Sequence, residues 1–356
     1  MAISSGFSCC YLVLLISLIL PVLLAQGYNH GYAQRNFSAT EREELNVMLK
    51  EFAEFPNKVM WSTVQEISEA HPLFFLHQRK AGGTSLRSTL YNASVKASLS
   101  RFIPCLGSVE CFTFRFPTVG ENNGHKAVNG GHFPWQEMMD MRHTVLPQKN
   151  TGGRSEMSCV TNFRHPISRL ISCIYYRFPT LKKCIMDMTT EELREMFFKV
   201  FWHDHTCLNE PFRILSGIED EEWLNMLDEV PLLSDKKDEG ITYRRMGFGA
   251  APVLQNTLRH VTRCAPIVTE LPESYTLIER RFPRLKNAFQ ADIREGAGPN
   301  TTTKCAHPKN AHLDLLLRYT SLERILYNAV YRKVRHRIIE VFGNTTSKHE
   351  YRYSSM

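Results

Sequence analysis

Lys80-Ala81-Gly82-Gly83-Thr84-Ser85 puts a cation, two glycines and two hydroxyls into six consecutive residues. Glycines let successive backbone N–H groups turn toward one point. A helix starting there adds its partial positive charge, so the segment suits a phosphate. The lysine precedes both glycines, whereas a Walker A loop places it after the second. A plain tight turn with a helix cap would use the same glycines. A second cationic segment runs Asn162-Phe163-Arg164-His165-Pro166-Ile167-Ser168-Arg169-Leu170-Ile171-Ser172. Ser168 and Ser172 stand four apart and share a helical face. A guanidinium with a hydroxyl on the next helix is a natural clamp for a second phosphate. A surface arginine paired with an acid would look the same in sequence. Together the two segments ask for a ligand with two separated phosphates.

The elements that must carry these residues follow from the pattern. Leu73-Phe74-Phe75-Leu76 is a short apolar strand candidate that runs into the lysine loop and then a helix to Tyr91. Ala127-Val128-Asn129, Cys159-Val160-Thr161 and Pro266-Ile267-Val268-Thr269 are three more strand candidates. Pro166 opens a helix with Leu170, Ile171, Ile174 and Tyr175 on one side, a position proline tolerates. Thr40 and Glu43 have the spacing of a capping box ahead of Leu45, Met48, Leu49 and Phe52. A helix is expected from about Ser274, and a last long one carries Leu322, Ile325, Leu326, Ala329, Val330, Val334, Ile338 and Val341. Short strands alternating with helices predict an α/β fold with a central parallel sheet. No internal repeat or long linker divides the chain, so one domain is expected.

Composition narrows the class. The 356 residues are 43% hydrophobic and 22% charged, which excludes disordered and collagenous chains. The net charge of +7 is compatible with an anionic partner. No basic arm with interleaved aromatics occurs, so nucleic acid is not expected. Cys9 to Ala25 is one uncharged apolar run, read as a signal-anchor or a cleaved signal peptide, with a buried helix as the bland alternative. Either secretory reading places the rest in an oxidising lumen. Sequons at Asn36, Asn92, Asn300 and Asn344, and eight cysteines outside the apolar run, agree with that compartment. Close spacing suggests Cys105–Cys111 and Cys173–Cys184 as bridges. The expected layout is a tail over 1–8, the apolar segment over 9–25, and a stem with a leading helix over 26–72. A catalytic domain over 73–342 and a tail over 343–356 follow.

Leu76 through Ser85 resembles the 5′-phosphosulfate loop of membrane-bound Golgi carbohydrate sulfotransferases, and Arg164 through Ser172 resembles their 3′-phosphate motif. The pair in this order is specific where either alone is not. The chain is most similar to the 2-O-sulfotransferase branch that acts on uronic acids of glycosaminoglycans, over roughly residues 73–341. The resemblance implies a P-loop-like fold and the donor 3′-phosphoadenosine 5′-phosphosulfate (PAPS), with no metal. Lys80, Ala81, Gly82, Gly83, Thr84 and Ser85 would hold the 5′-phosphate. Arg164 and Ser172 would hold the 3′-phosphate. His132, in Asn129-Gly130-Gly131-His132-Phe133, matches the family's catalytic base. His125, His143, His203 and His205 are its competitors among 14 histidines. Asn209 and Arg213 resemble acceptor-side residues, Val268 through Leu277 a family strand and helix, and Thr302 and Lys304 part of a late loop over the donor. That loop would leave the Asn300 sequon unoccupied.

Three departures stand in the motifs. Arg79 replaces a neutral residue or Pro, Ala81 replaces Thr, and His165 replaces Asp; none removes a phosphate ligand. The implied partners are an anionic polysaccharide acceptor and a membrane, with the catalytic domain in the Golgi lumen behind a type II anchor or secreted after signal cleavage. Arg280-Arg281 and Arg332-Lys333-Arg335-Arg337 are basic runs that would meet such a polymer or simply form solvated helix faces. Two rivals remain at this point: an inactive glycan-binding relative, and a nucleotide-dependent kinase that uses the glycine loop for ATP. The kinase would want a metal-holding acid after a strand, and no convincing one stands in the sequence.

Overall fold

The computed structural model of the chain describes residues 39–64, 66–107, 109, 126–145, 157–178, 184–203, 207, 209–218, 227–231, 242–246, 251–289 and 310–343. The fold is α/β. Among the described residues five strands form one all-parallel sheet: β1 (Leu73–Leu76), β2 (Arg101–Phe102), β3 (Val128–Gly131), β4 (Ser158–Phe163) and β7 (Cys264–Val268), in the order β2-β3-β1-β4-β7. Every residue of β1, β3, β4 and β7 is buried. Such unbroken burial is what a parallel sheet covered by helices requires, and it explains why β1 reads as an apolar run without alternation. The four foreseen strands all form. The two-residue edge strand β2 was not foreseen. Nor was a separate antiparallel hairpin of β5 (Leu227–Pro231) and β6 (Thr242–Met246).

The helices follow their cues with one correction. Helix α1 (Ala39–Glu54) begins before Thr40, so that residue lies inside the first turn and does not precede it. A reciprocal capping box stands elsewhere. Thr189 N–H donates to Glu192 at 2.6 Å and Glu192 N–H to the Thr189 hydroxyl at 3.1 Å, opening α6 (Thr190–His203). Leu45, Met48 and Phe52 of α1 and Met60 of the short α2 (Asn57–Met60) join the same apolar core as β1. The leading helix is thus part of the domain body. After β1 comes α3 (Gly83–Lys96), after β3 comes α4 (Trp135–Val145), and after β4 comes α5 (Pro166–Arg177), with Pro166 in its first turn. Then follow α7 (Glu210–Leu215), α8 (Ala251–Val261), α9 (Glu273–Arg281), α10 (Asn310–Tyr319) and α11 (Ser321–Phe342). No helix among the described residues is long and apolar enough to cross a membrane. The apolar run 9–25 lies outside them.

Two disulfides between pairs of described cysteines lock this body. Cys159–Cys264 joins directly paired residues of β4 and β7. Cys173–Cys207 ties α5 to the turn before α7. The second corrects the expected Cys173–Cys184 bridge: Cys207 is remote in sequence but is brought against α5 by packing. Cys105 and Cys184 are also disulfide-bonded; Cys111 lies outside the described residues. Beside the α5 bridge, Arg169 makes a two-pronged pair with Glu323 of α11, both bonds at 2.7 Å, and donates to the Cys207 carbonyl at 2.8 Å. Arg169 and Glu323 are almost fully buried. A charge pair taken out of water needs close, two-pronged geometry of this kind, and here it fixes α5 against α11.

Strand order also places a crevice. The chain leaves β1 toward β2 and β3 on one side, and leaves β4 toward β7 on the other. Adjacent strands whose connections diverge leave an opening at their carboxyl ends, where α/β sheets bind ligands.

Candidate functional site

The lysine loop follows the carboxyl end of β1, His132 that of β3, Arg164 that of β4 and Thr269 that of β7. The register explains their proximity. Leu76 pairs with both Gly131 and Thr161, and Phe163 pairs with Val268.

The loop is held by buried polar residues. The Gln78 N–H donates to Asn162 Oδ1 at 2.9 Å, and Asn162 Nδ2 donates to the Ala81 carbonyl at 2.6 Å. Thr269 adds a hydroxyl to the same carbonyl at 3.2 Å. Lys80 and Gly82 both take the left-handed conformation, at φ 61° and 80°. A left-handed lysine is uncommon and costs on the order of 1 kcal/mol, so the clamp from Asn162 must hold it. Gly82 caps α3 and turns the amides of its first residues, Gly83 and Thr84, toward the helix start. Gly82 and Thr84 are exposed and Ser85 is half-buried, so this turn is open to an anion from outside.

Arg164 reaches the loop directly: its Nη1 donates to the Lys80 carbonyl at 3.2 Å. The two cationic segments therefore meet. Ser172 is half-buried in the middle of α5. Lys80 Nζ lies 3.7 Å from the ring centroid of Tyr176, whose side chain is 63% exposed. Burial first, and then Arg164 and Arg177, lower the Lys80 pKa to about 8. The ammonium keeps its proton at neutral pH but gives it up in mild base.

His132 is tightly placed. Its Nδ1 is 2.9 Å from the His77 carbonyl. A carbonyl only accepts, so Nδ1 carries the proton and Nε2 carries the lone pair. Burial holds its pKa down at about 4, against an opposing pull from Glu210; Arg79 and Arg87 lower it further. The imidazole is a neutral base at ordinary pH. His77 itself, packed against Gly83, stacks on His132 with ring centroids 4.1 Å apart. Of the competing histidines, His143 and His203 fall within α4 and α6. His125 and His205 lie outside the described residues.

The two acceptor-side candidates, Asn209 and Arg213, flank the start of α7. Asn209 is buried and left-handed at φ 55°, with no capping hydrogen bond from its side chain. It turns the chain into α7. Arg213 closes on Glu210, with Nε–Oε2 at 2.9 Å and Nη2–Oε1 at 3.3 Å. Arg79 approaches the same carboxylate, its N–H at 3.4 Å and its Nε at 3.9 Å. Burial would raise the pKa of Glu210, but Arg213 and then Arg79 outweigh it and hold it ionised. Arg79, a departure from the motif by sequence, is thus half of an arginine pair around one buried carboxylate. Glu270 accepts the His165 N–H at 2.9 Å and the Tyr327 hydroxyl at 3.0 Å, steadying the turn after Arg164. Thr302 and Lys304 lie outside the described residues, as do the sequons at Asn36, Asn300 and Asn344. Asn92 is exposed on α3.

Much of the two basic runs is structural. Arg281 is buried and donates to the Met60 carbonyl. Lys333 caps the end of α1 through the carbonyls of Ala53, at 2.7 Å, and Phe55. Arg337 pairs with Glu340 at 3.0 Å.

Sequence reasoning missed His77 and Glu210 as site residues. His77 was visible only as part of a motif; its role comes from the pairing of Leu76 with Gly131. No protein-family model matches this chain, and no curated protein matches it significantly.

Proposed function

We propose that the chain is a sulfotransferase that moves a sulfuryl group from PAPS to a hydroxyl of an anionic glycan. A glycosaminoglycan-like polymer, with the uronic acid 2-O as the candidate position, fits the resemblance best. The observation that carries the reading is the hydrogen bond from Arg164 to the Lys80 carbonyl. It brings two anion-binding segments into one crevice, which suits a donor with separated 5′ and 3′ phosphates, and His132 stands at the next strand end. The two disulfides suit the oxidising lumen that a Golgi type II protein or a secreted one would occupy.

The first-turn amides with Thr84 and Ser85 would hold the 5′-phosphate, and Arg164 with Ser172 the 3′-phosphate. Thr302 and Lys304 enter through the resemblance alone. His132 Nε2 takes the proton of the acceptor hydroxyl as its oxygen attacks sulfur. The bond between sulfur and the bridging oxygen breaks, and 3′,5′-diphosphoadenosine leaves with that electron pair. Lys80 neutralises the charge that develops on the bridging oxygen. The protein's work is alignment and charge stabilisation, as in phosphoryl transfer.

The test is thermal stabilisation of the purified protein by 3′,5′-diphosphoadenosine, with AMP and ATP–magnesium as controls. A ligand at one hundred times its Kd contributes about 2.7 kcal/mol. A shift specific to the diphosphate is expected. No shift in a folded protein would leave a glycan-binding scaffold, and a shift with ATP–magnesium alone would leave a kinase.

A further inference from the structure

His77 lies between the two halves of the crevice. It directly follows β1, and its backbone N–H donates to the Gly131 carbonyl at 2.8 Å, continuing the pairing of β1 with β3 by one step. Neighbouring parallel strands lie about 4.8 Å apart and project aligned residues the same way. His77 and His132 therefore leave the sheet side by side, and their rings stack with an interplanar angle of 26°. The other side of the His77 ring meets α3. A methyl carbon built on Gly83 would fall 1.7 Å from His77 Cδ2 and 2.0 Å from Nε2. The His77 side chain is 3% exposed, and its Nδ1 has no hydrogen-bond partner. A buried imidazole that makes so little use of its own nitrogens is being used for its shape and its carbonyl.

We propose that His77 is the positioning residue of His132: its carbonyl fixes the proton on Nδ1, and its ring, wedged between His132 and the first turn of α3, keeps water from the face of the base. The inference rests on the sulfuryl-transfer reading for its consequence in turnover, though not for its geometry. The charged and titratable groups that act on His132 are His77 and Arg79 after β1, Arg87 on α3 and Glu210 on α7. Burial outweighs them all. Removing the His77 ring would replace a flat, packed neighbour with water. The ordinary imidazole pKa would then return in part, because hydration favours the charged form.

The experiment compares His77→Ala with His77→Phe in the purified protein. His132 is titrated by imidazole NMR, and the pH dependence of kcat/KM is followed beside it. Phe keeps the flat ring, and both variants keep the backbone carbonyl that bonds His132 Nδ1. It is expected to leave the His132 titration and the acid limb of kcat/KM near wild type. Ala is expected to raise both by about 1–2 pH units, with kcat reduced and KM for the donor changed less than about twofold. An unmoved His132 titration in folded His77→Ala overturns the proposal, as does an equal loss of activity in both variants with unmoved acid limbs. A moved titration in a protein that transfers no sulfuryl group would keep the positioning role and reject the transfer reading. Transfer activity with an unmoved titration would do the reverse.

Discussion

Gly83→Ala is the sharpest steric test of the crevice. In the first turn of a helix, alanine is ordinarily preferred to glycine by up to about 1 kcal/mol, so a neutral or favourable effect is the default. Here the new methyl carbon would lie 1.7, 2.0 and 2.6 Å from three atoms of the His77 ring. Ordinary contact begins at 3.4 Å, so the ring must retreat by about 1.7 Å. It has little room, since it stacks on His132 at 4.1 Å and on Phe75 at 5.8 Å. Overpacking of this kind costs about 1–3 kcal/mol, and a penned ring puts the substitution near about 3. For a domain of this size that lowers Tm by about 6–12 °C. The assay is denaturant and thermal unfolding of Gly83→Ala, His77→Ala and the double variant. The double variant should recover about 2 kcal/mol relative to the sum of the singles, because the alanine at 77 makes the room. Gly82→Ala is the internal control. Its methyl meets only the Thr269 side chain at 3.7 Å, so its cost comes from φ 80° alone, about 1–2 kcal/mol, and His77→Ala should not relieve it. A Gly83→Ala protein as stable as wild type, or strictly additive singles, would refute the wedge.

Three further outcomes are expected. The kcat/KM for sulfuryl transfer should fall below pH about 4, as His132 gains a proton, and above about 8, as Lys80 loses one; a flat profile through pH 9 would remove Lys80 from the chemistry. Stability should fall on acidification. His132 and His165 each have a folded pKa of about 4, below the unfolded value near 6.5, so unfolding takes up protons between those limits. The stabilisation is whole above about pH 6.5 and is lost toward pH 4, amounting to about 2 kcal/mol per histidine at pH 5. Urea unfolding at pH 7 and pH 5 reads it directly, and equal stabilities would contradict it. Arg169→Ala should destabilise by about 3–5 kcal/mol by stranding the buried Glu323 carboxylate, whereas Arg169→Met with Glu323→Leu should recover most of that loss; equal losses would mean that the pair is not the cause.

The fold was legible where burial is continuous. Leu73-Phe74-Phe75-Leu76 and Cys159-Val160-Thr161 announce buried strands because a covered parallel sheet tolerates little else. Pro166 announced α5 for an equally local reason. Arg101–Phe102 did not show, because a two-residue edge strand has no period to read. Thr40 misled because a capping box is only four residues long, and Thr189 with Glu192 satisfies the same pattern where the chain actually turns. In the site, cationic residues carry their chemistry in their type, so Lys80 and Arg164 stood out. His77, Asn162 and Glu210 act by what they pack against, and those contacts cross 55, 81 and 131 residues of sequence. Spacing within one segment holds no trace of them. The Cys173–Cys207 bridge escaped for the same reason.

The bridge between β4 and β7 has a consequence for the covalent topology. Cys159 and Cys264 are 105 positions apart. The chain between them includes α5, α6, α7 and α8, so these elements form a closed loop hung from two paired strands. Hydrolysis of any one peptide bond inside that loop opens the ring without dividing the molecule. A protease nick there leaves the two pieces covalently joined, and they part on a denaturing gel only after the disulfides are reduced.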